Sequence, residues 1–121
     1  MITLQHFLET HELDSEQTLR NHLKVCTDDP SQNQAYWLVV DDEPIMALFT
    51  RGHLACLYYE PDVLWSHDPT ADDFEIEFTL ENGQVDPLPA DVAINTQSAL
   101  ETFIHFYNTQ TLSDKIQWSE T

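Results

Sequence analysis

The sequence predicts an α+β fold, with an antiparallel β-sheet of about five strands and two helices packed on one side of it. Its 121 residues are close to the commonest size of a single domain, and hydrophobic residues make up 41% of them, enough for one compact core. Three apolar runs follow one another with only short turns between them, and two further segments have helical spacing. We therefore expect a single domain over residues 1–121.

Two segments have the apolar spacing and the capping residues of helices. Asp14 or Ser15 can cap a first helix over residues 15–25. Asn95 or Thr96 can cap a second helix, whose apolar positions recur at i, i+3, i+4 and i+7. This stripe predicts a helix face packed against the sheet. It consists of Leu100, Phe103, Ile104 and Tyr107.

The strands are predicted from β-branched and aromatic runs and from apolar residues that alternate with polar ones. The first three runs are joined by short turns, which only antiparallel neighbours allow. The two last strands are expected to be short, because proline and polar residues surround them. The expected strands cover residues 36–40, 45–50, 54–59, 74–79, 92–94 and 115–118.

The sequence is strongly acidic: 22 Asp and Glu residues against 4 Lys and Arg residues give a formal net charge of -18 at pH 7. Nucleic acids and anionic membranes both attract basic surfaces, so neither is an expected partner. A cationic protein is favoured, because opposite net charges accelerate association. The alternative is that the acidity serves solubility alone.

Cys26 and Cys56 are too few and too isolated for the disulfide framework of a small secreted protein, and we expect free thiols. Residues 1–10 lack the basic and apolar regions of a signal peptide. No stretch approaches the roughly 20 apolar residues that a membrane-spanning helix needs. The expected location is the cytoplasm, with no membrane partner.

Residue patterns for catalysis, cofactors or metals are missing from the sequence. His53 and Cys56 are three residues apart in an extended segment, so their side chains would point to opposite faces. Gly52 and Gly83 are too far apart to build a phosphate-binding loop. No nucleophile elbow or paired-cysteine metal motif is present. We expect a protein that is not an enzyme and holds no cofactor or metal.

The strongest candidate site is a set of acidic residues in two turns and one loop. The loop, residues 60–73, has two prolines and no sustained periodicity, and is expected to be exposed. Trp65, with Tyr58 or Tyr59, would supply the large amphipathic side chains of a binding hot spot. In the alternative, the loop is merely solvated and Trp65 folds back on the core. Besides Trp65, the expected partner-binding residues are Asp41, Asp42, Glu43, Glu60, Asp62, Asp68, Asp72 and Asp73.

The C-terminal third of the chain carries a family resemblance. Its characteristic residues are Ser98, Ala99, Leu100, Phe103, Phe106, Tyr107, Thr109, Gln117, Trp118, Ser119 and Glu120. With the central residues 36–59, which read as a hairpin and a strand ending in two tyrosines, they cover about two-thirds of the chain. This pattern resembles the first-described family of small immunity proteins encoded beside bacterial polymorphic toxins. It is similar to the immunity proteins of double-stranded DNA cytosine deaminase toxins.

The resemblance implies an inhibitor that binds one cognate toxin domain and covers its active site, the toxin being a deaminase or nuclease. It carries over no catalytic residues, and it implies that Trp118 belongs to the core. Leu112 and Ser113 replace an Arg-Pro pair that is frequent in the family, and this leaves the cognate toxin open. Two alternatives are an acidic secretion chaperone, which cradles an unfolded effector segment, and an inhibitor whose carboxylates mimic DNA phosphates.

Overall fold

Alternating apolar residues build a large antiparallel sheet in the structure, a computed structural model that describes residues 1–29, 31–70, 75–80 and 82–120. The helices are α1 (Glu16–Leu23), α2 (Val25–Asp28) and α3 (Thr96–Thr109), with a 3₁₀ helix at Ala90–Val92. The strands are β1 (Ile2–His6), β2 (Glu9–Glu12), β3 (Gln34–Val40), β4 (Glu43–Arg51), β5 (Leu54–Tyr59), β6 (Leu64–His67), β7 (Glu75–Thr79), β8 (Val85–Pro89), β9 (Ile94–Asn95) and β10 (Gln117–Ser119).

The strand order of the main sheet is β10-β6-β5-β4-β3-β1-β2, with β9 paired to one end of β5. All of these pairs are antiparallel, and the β3-β4-β5 meander predicted from the sequence is present. Strands β7 and β8 form a separate two-stranded hairpin. The predicted α+β class, an antiparallel sheet with helices on one face, is confirmed.

The two faces of the main sheet carry two separate apolar clusters. Helices α1 and α3 pack on one face, which we call the helix face, over aliphatic residues of the central strands. The opposite face, which we call the hairpin face, is covered in part by β7, β8 and the 3₁₀ helix. Buried residues of the helix-face cluster include Leu4, Leu38, Met46, Leu48, Leu57, Phe103 and Ile104, and those of the hairpin-face cluster include Phe49, Cys56, Ile76, Phe78 and Val92.

Both main helices begin at capping residues that the sequence predicts. The Ser15 hydroxyl accepts a hydrogen bond from the Thr18 amide, and the Asn95 side chain accepts from two amides of the first turn of α3. The predicted stripe of α3 faces the sheet, with Phe103 fully buried. The first helix is shorter than the expected 15–25, because α1 ends at Leu23 and a separate short helix follows.

The structure has more strands than the five or so that the sequence predicts, because several strands lack the apolar alternation on which sequence patterns depend. The hairpin β1-β2 was not predicted, and its outer strand has the polar sequence ETHE. The stretch 60–73, expected to be loop throughout, contains strand β6. The expected strand at 92–94 is instead a 3₁₀ turn followed by the two residues of β9. The last strand lies at Gln117–Ser119 and not at 115–118.

A buried hydroxyl joins three of these short elements. Strand β5 pairs with β9 at its start and with β6 at its end, which leaves the amide of Leu57 between the two ladders. The Ser66 hydroxyl accepts a hydrogen bond from that amide at 2.9 Å and donates one to the Val92 carbonyl at 2.6 Å. Ser66 is fully buried. Its hydroxyl therefore completes the backbone hydrogen bonding of the central strand.

Candidate functional site

Five of the acidic residues expected to bind a partner lie at one end of the sheet. Because β3, β4, β5 and β6 are sequential antiparallel neighbours, the β3-β4 turn and the β5-β6 turn emerge at the same end. We call this end the acidic end. All five of these residues are exposed, and together they create a local negative field. They are Asp41, Asp42, Glu43, Glu60 and Asp62.

The backbone at the acidic end adopts conformations that ordinary residues seldom take. Asp41 and Asp42 form a two-residue hairpin turn with φ of 51° and 71°. Val63, in the β5-β6 turn, has φ of 54° and is 52% exposed. A left-handed backbone is unfavourable for a β-branched residue, and the exposed side chain gains little packing in return. Val63 is therefore an exposed apolar residue on an unfavourable backbone conformation.

A shallow cleft of about 420 Å³ opens between the two acidic turns and the end of α3. Its apolar lining includes Ile45, Tyr59 and Phe106, and Asp41 and Glu43 also line it. The Asp41 carboxylate lies 2.8 Å from the α-amino group of Met1. The last turn of α3 carries no basic residue, so the negative end of the helix dipole adds to the field of the carboxylates.

Three aromatic side chains lie side by side on the hairpin face, next to the acidic end. The rings of Trp37 and Tyr58 meet edge to face with centroids 6.1 Å apart, and Tyr58 and Trp65 are 4.6 Å apart. All three are only partly buried, although they pack against the edge of the hairpin-face cluster. We call Trp37, Tyr58 and Trp65 the aromatic row.

The strand register explains why these rings meet. Trp37 is opposite Ala47, Ala47 is opposite Tyr58, and Tyr58 is opposite Trp65, so that four neighbouring strands each contribute one residue. Residues directly opposite in antiparallel strands share a face. The small side chain of Ala47 lets the rings of Trp37 and Tyr58 approach across it.

The structure decides between the two tyrosines that the sequence left open. Tyr58 belongs to the aromatic row, whereas Tyr59 points to the helix face, where its ring lies 5.8 Å from that of Phe106. Burial raises the pKa of Tyr58, and hydrogen bonding to the nearby Glu60 carboxylate raises it further. Glu60 follows Tyr58 by two residues and so lies where the aromatic row meets the acidic end.

Trp65 is closer to the alternative in which it packs on the core, because it is partly buried against the hairpin-face cluster. It is part of strand β6 and not of an exposed loop, and its ring packs on Tyr58 while keeping some solvent contact. Trp118, by contrast, packs against the helix-face cluster, and its indole nitrogen donates a hydrogen bond to the Ser113 carbonyl at 3.1 Å. The two tryptophans thus lie on opposite faces of the sheet.

Asp68 is not part of the acidic end, because the length of β6 separates it from Glu60 and Asp62. Its carboxylate accepts hydrogen bonds from the Thr70 amide and hydroxyl, and these bonds lower the pKa of Asp68. The Asp68 side chain therefore stabilises the turn that follows β6. The expected partner residues Asp72 and Asp73 lie outside the described residues, as does Phe74 of the expected fourth strand.

The residues tested for metal binding are kept apart. His53 lies exposed in the β4-β5 turn, not in a strand, whereas Cys56 is fully buried in the hairpin-face cluster. Burial raises the pKa of the Cys56 thiol. Among residues 1–29, 31–70, 75–80 and 82–120, no group of three His, Cys, Asp or Glu side chains is arranged to hold a metal ion. Within the same residues, no helix is long and apolar enough to cross a membrane.

Sequence reasoning missed Trp37, which completes the aromatic row. In strand β3 both alternating sets are apolar, with Ala35 and Trp37 on one face and Tyr36 and Leu38 on the other. Alternation alone therefore gives no sign of which face is the more exposed. A usable signal was that Trp37 and Tyr58 both lie in the β3-β4-β5 meander predicted from the sequence.

Comparison with known proteins assigns the chain to no family. No protein-family model matches it, and no curated protein is significantly similar to it. The class of protein must be argued from the site. That site combines an aromatic row on a sheet face with a neighbouring set of exposed carboxylates, features typical of a protein-binding surface.

Proposed function

We propose that the protein is a binding protein of the immunity type, which captures a basic toxin domain and covers its active site. The observation that carries this proposal is the aromatic row beside the acidic end. Interfaces are enriched in Trp and Tyr at their centres and leave their charged groups at the rim. Here the aromatic residues form the centre and the acidic turns form one side of the rim.

The charge of the chain supports a cationic partner. A net charge of -18 creates a long-range field that steers a basic domain towards the protein and repels acidic ones. Nucleic acid would meet the same field as repulsion. A toxin that acts on nucleic acid needs a basic surface around its active site, so this field would direct the inhibitor to that surface.

The proposed action is occlusion and not catalysis. The aromatic row is a packed surface, and its polar neighbour Glu60 is an exposed carboxylate. The two thiols, Cys26 and Cys56, are both buried. These features fit a stoichiometric inhibitor, which needs complementarity with its target and no reactive group of its own. They fit a cytoplasmic location, where such an inhibitor would meet an incoming toxin.

The experiment is to co-express the protein with the toxin domain encoded beside its gene and to purify the complex. We expect bacterial growth to be rescued, a one-to-one complex, and loss of the toxin's activity on its nucleic-acid substrate. A complex that keeps full toxin activity would contradict occlusion. Binding only to an unfolded segment would instead indicate a secretion chaperone, and displacement by DNA from an unrelated DNA-binding protein would indicate a DNA mimic.

A further inference from the structure

We propose that the aromatic row and Glu60 form a binding site for arginine side chains of a cationic protein partner. This inference rests on the proposed function, since it specifies the chemistry by which the same surface recognises its partner. It makes a sharper claim than attraction by net charge, because it assigns the contact to three rings and one carboxylate.

The rings offer the faces that a guanidinium group requires. Trp37, Tyr58 and Trp65 are partly exposed, and Tyr58 lies between the two indoles. A cation within about 6 Å of a ring centroid is attracted by the negative face of the ring, most strongly for Trp. Arginine is the preferred cation, because its planar group can stack on the ring.

The carboxylate of Glu60 gives the row a second means of recognition. Glu60 lies two residues after Tyr58, and its amide donates to the Ile45 carbonyl at 2.9 Å, so it continues the strand pairing and shares the face of Tyr58 at the border of the aromatic surface. A guanidinium group stacked on Tyr58 or Trp65 can direct its N-H groups to this carboxylate. A charged hydrogen bond of this kind is stronger than a neutral one and matches the forked shape of arginine.

In the part of the chain that the structure describes, no Lys or Arg side chain lies on the row. The Lys and Arg residues of the chain number four, at positions 20, 24, 51 and 115. Arg20 binds Glu16 and Glu101 on the helix side, and Arg51 donates to the Glu77 carbonyl. Lys24 follows α1, and Lys115 lines a cleft beside α3. The nearest titratable side chain along β6 is His67, which lies 3.6 Å from Asp91.

Arginine and lysine can be distinguished because they differ in shape at equal charge. The lysine ammonium is a compact, strongly hydrated charge that does not stack, whereas guanidinium loses less hydration when it covers a ring. A surface that attracts its partner only through net charge would bind arginine and lysine equally well. A surface that offers aromatic rings and a carboxylate together would bind arginine more tightly than lysine.

The test titrates the full chain with capped hexa-arginine and hexa-lysine peptides and follows tryptophan fluorescence. In a Trp118→Phe variant the remaining emission comes from Trp37 and Trp65, both in the row. We expect hexa-arginine to bind about tenfold more tightly than hexa-lysine and to change this emission. Equal affinities for the two peptides would overturn the proposal.

Two variants and a matched control test whether the arginine side chains contact Trp65 and Glu60. Trp65→Leu, which keeps an apolar side chain, and Glu60→Gln should each remove most of the preference for arginine. Asp114→Asn, which removes a carboxylate on the other side of the molecule, should preserve it. If Trp65→Leu unfolds the chain, Trp65→Phe replaces it, and the preference for arginine should then fall without being lost, because Phe attracts a cation less strongly than Trp. An arginine preference unchanged in the row variants would contradict the site.

The outcomes separate this inference from the proposed function. If the neighbouring toxin is neutralised but the arginine preference is absent, the arginine site is wrong and the immunity function stands. If the arginine preference is present but no toxin is neutralised, the immunity function is wrong and the site remains.

Discussion

The two faces of the sheet use aromatic residues in different ways. On the helix face, Phe103 is fully buried, and aliphatic strand residues fill the space beneath α1 and α3. On the hairpin face, the clustered rings of Trp37, Tyr58 and Trp65 all retain exposure. The helix face mainly stabilises the fold, whereas the hairpin face combines a second buried cluster, which includes Phe49 and Phe78, with the partly exposed apolar surface of the aromatic row.

The largest effect is expected on the helix face, from Phe103→Ala. Phe103 is the centre of the α3 stripe and has no exposed surface, so truncation leaves a cavity. We expect a loss of about 4 kcal/mol in the free energy of unfolding. Chemical denaturation measures it. A loss below about 1 kcal/mol would show that α3 is not an essential part of the core.

A smaller loss of stability is expected from Ser66→Ala. This change removes the partner of both the Leu57 amide and the Val92 carbonyl, which are linked through the Ser66 hydroxyl. We expect the free energy of unfolding to fall by about 2 kcal/mol, because buried polar groups left unsatisfied are destabilising. Ser31→Ala, at an exposed position, is the control and should change little. Equal melting temperatures for the two variants would contradict the role of this hydroxyl.

Val63→Gly should have a smaller effect of the opposite sign. Glycine adopts the positive φ of Val63 without steric cost, so the fold should gain about 1 kcal/mol. If the exposed Val63 side chain touches the partner, the same variant should bind the toxin domain more weakly. Thermal denaturation and calorimetric binding measure the two effects. If Val63→Gly is less stable and binds the toxin domain as tightly as before, Val63 is neither strained nor part of the binding surface.

The smallest effect on stability is expected from charge reversal at the acidic end. The double variant Glu43→Lys and Asp62→Lys should fold normally, because both residues are exposed. It should slow association with the toxin domain about tenfold at low salt and reduce the salt dependence of the rate. The matched control, Asp28→Lys with Asp114→Lys, has the same net charge. If the two double variants associate equally slowly, only net charge matters and the acidic end is not the approach surface.

The elements predicted correctly are those whose signals lie within one short segment. The three central strands follow from β-branched runs, and α3 follows from its stripe and the Asn95 cap. The pairings β10 with β6 and β9 with β5 join residues far apart in the chain, so no local pattern reveals them. Strand β6 was not predicted from the sequence, because the prolines and carboxylates on both sides of it are typical of a loop.

The candidate site was predictable to a similar extent. The acidic end follows from the sequential hairpins, which bring the turns at Asp41 and Glu60 to one edge. The separation of Asp68 from this end depends on strand β6, and the aromatic row depends on the register that places Ala47 between Trp37 and Tyr58. Register is a property of paired strands and cannot be read from one strand alone.

The central claim is that the aromatic row on the hairpin face binds the partner, whereas the helix-face cluster, against which Trp118 packs, stabilises the fold. The comparison of Trp65→Ala with Trp118→Ala tests it most directly, since the two tryptophans lie on opposite faces. Affinity for the toxin domain and melting temperature should be measured for both. We expect Trp65→Ala to weaken binding about thirtyfold, equivalent to about 2 kcal/mol, with a small change in melting temperature.

Trp118→Ala should show the reverse, with a loss of about 3 kcal/mol in unfolding free energy and unchanged affinity of the folded fraction. If instead Trp65→Ala melts the protein while its folded fraction binds as tightly as before, Trp65 is a core residue. The aromatic row would then not be the binding surface.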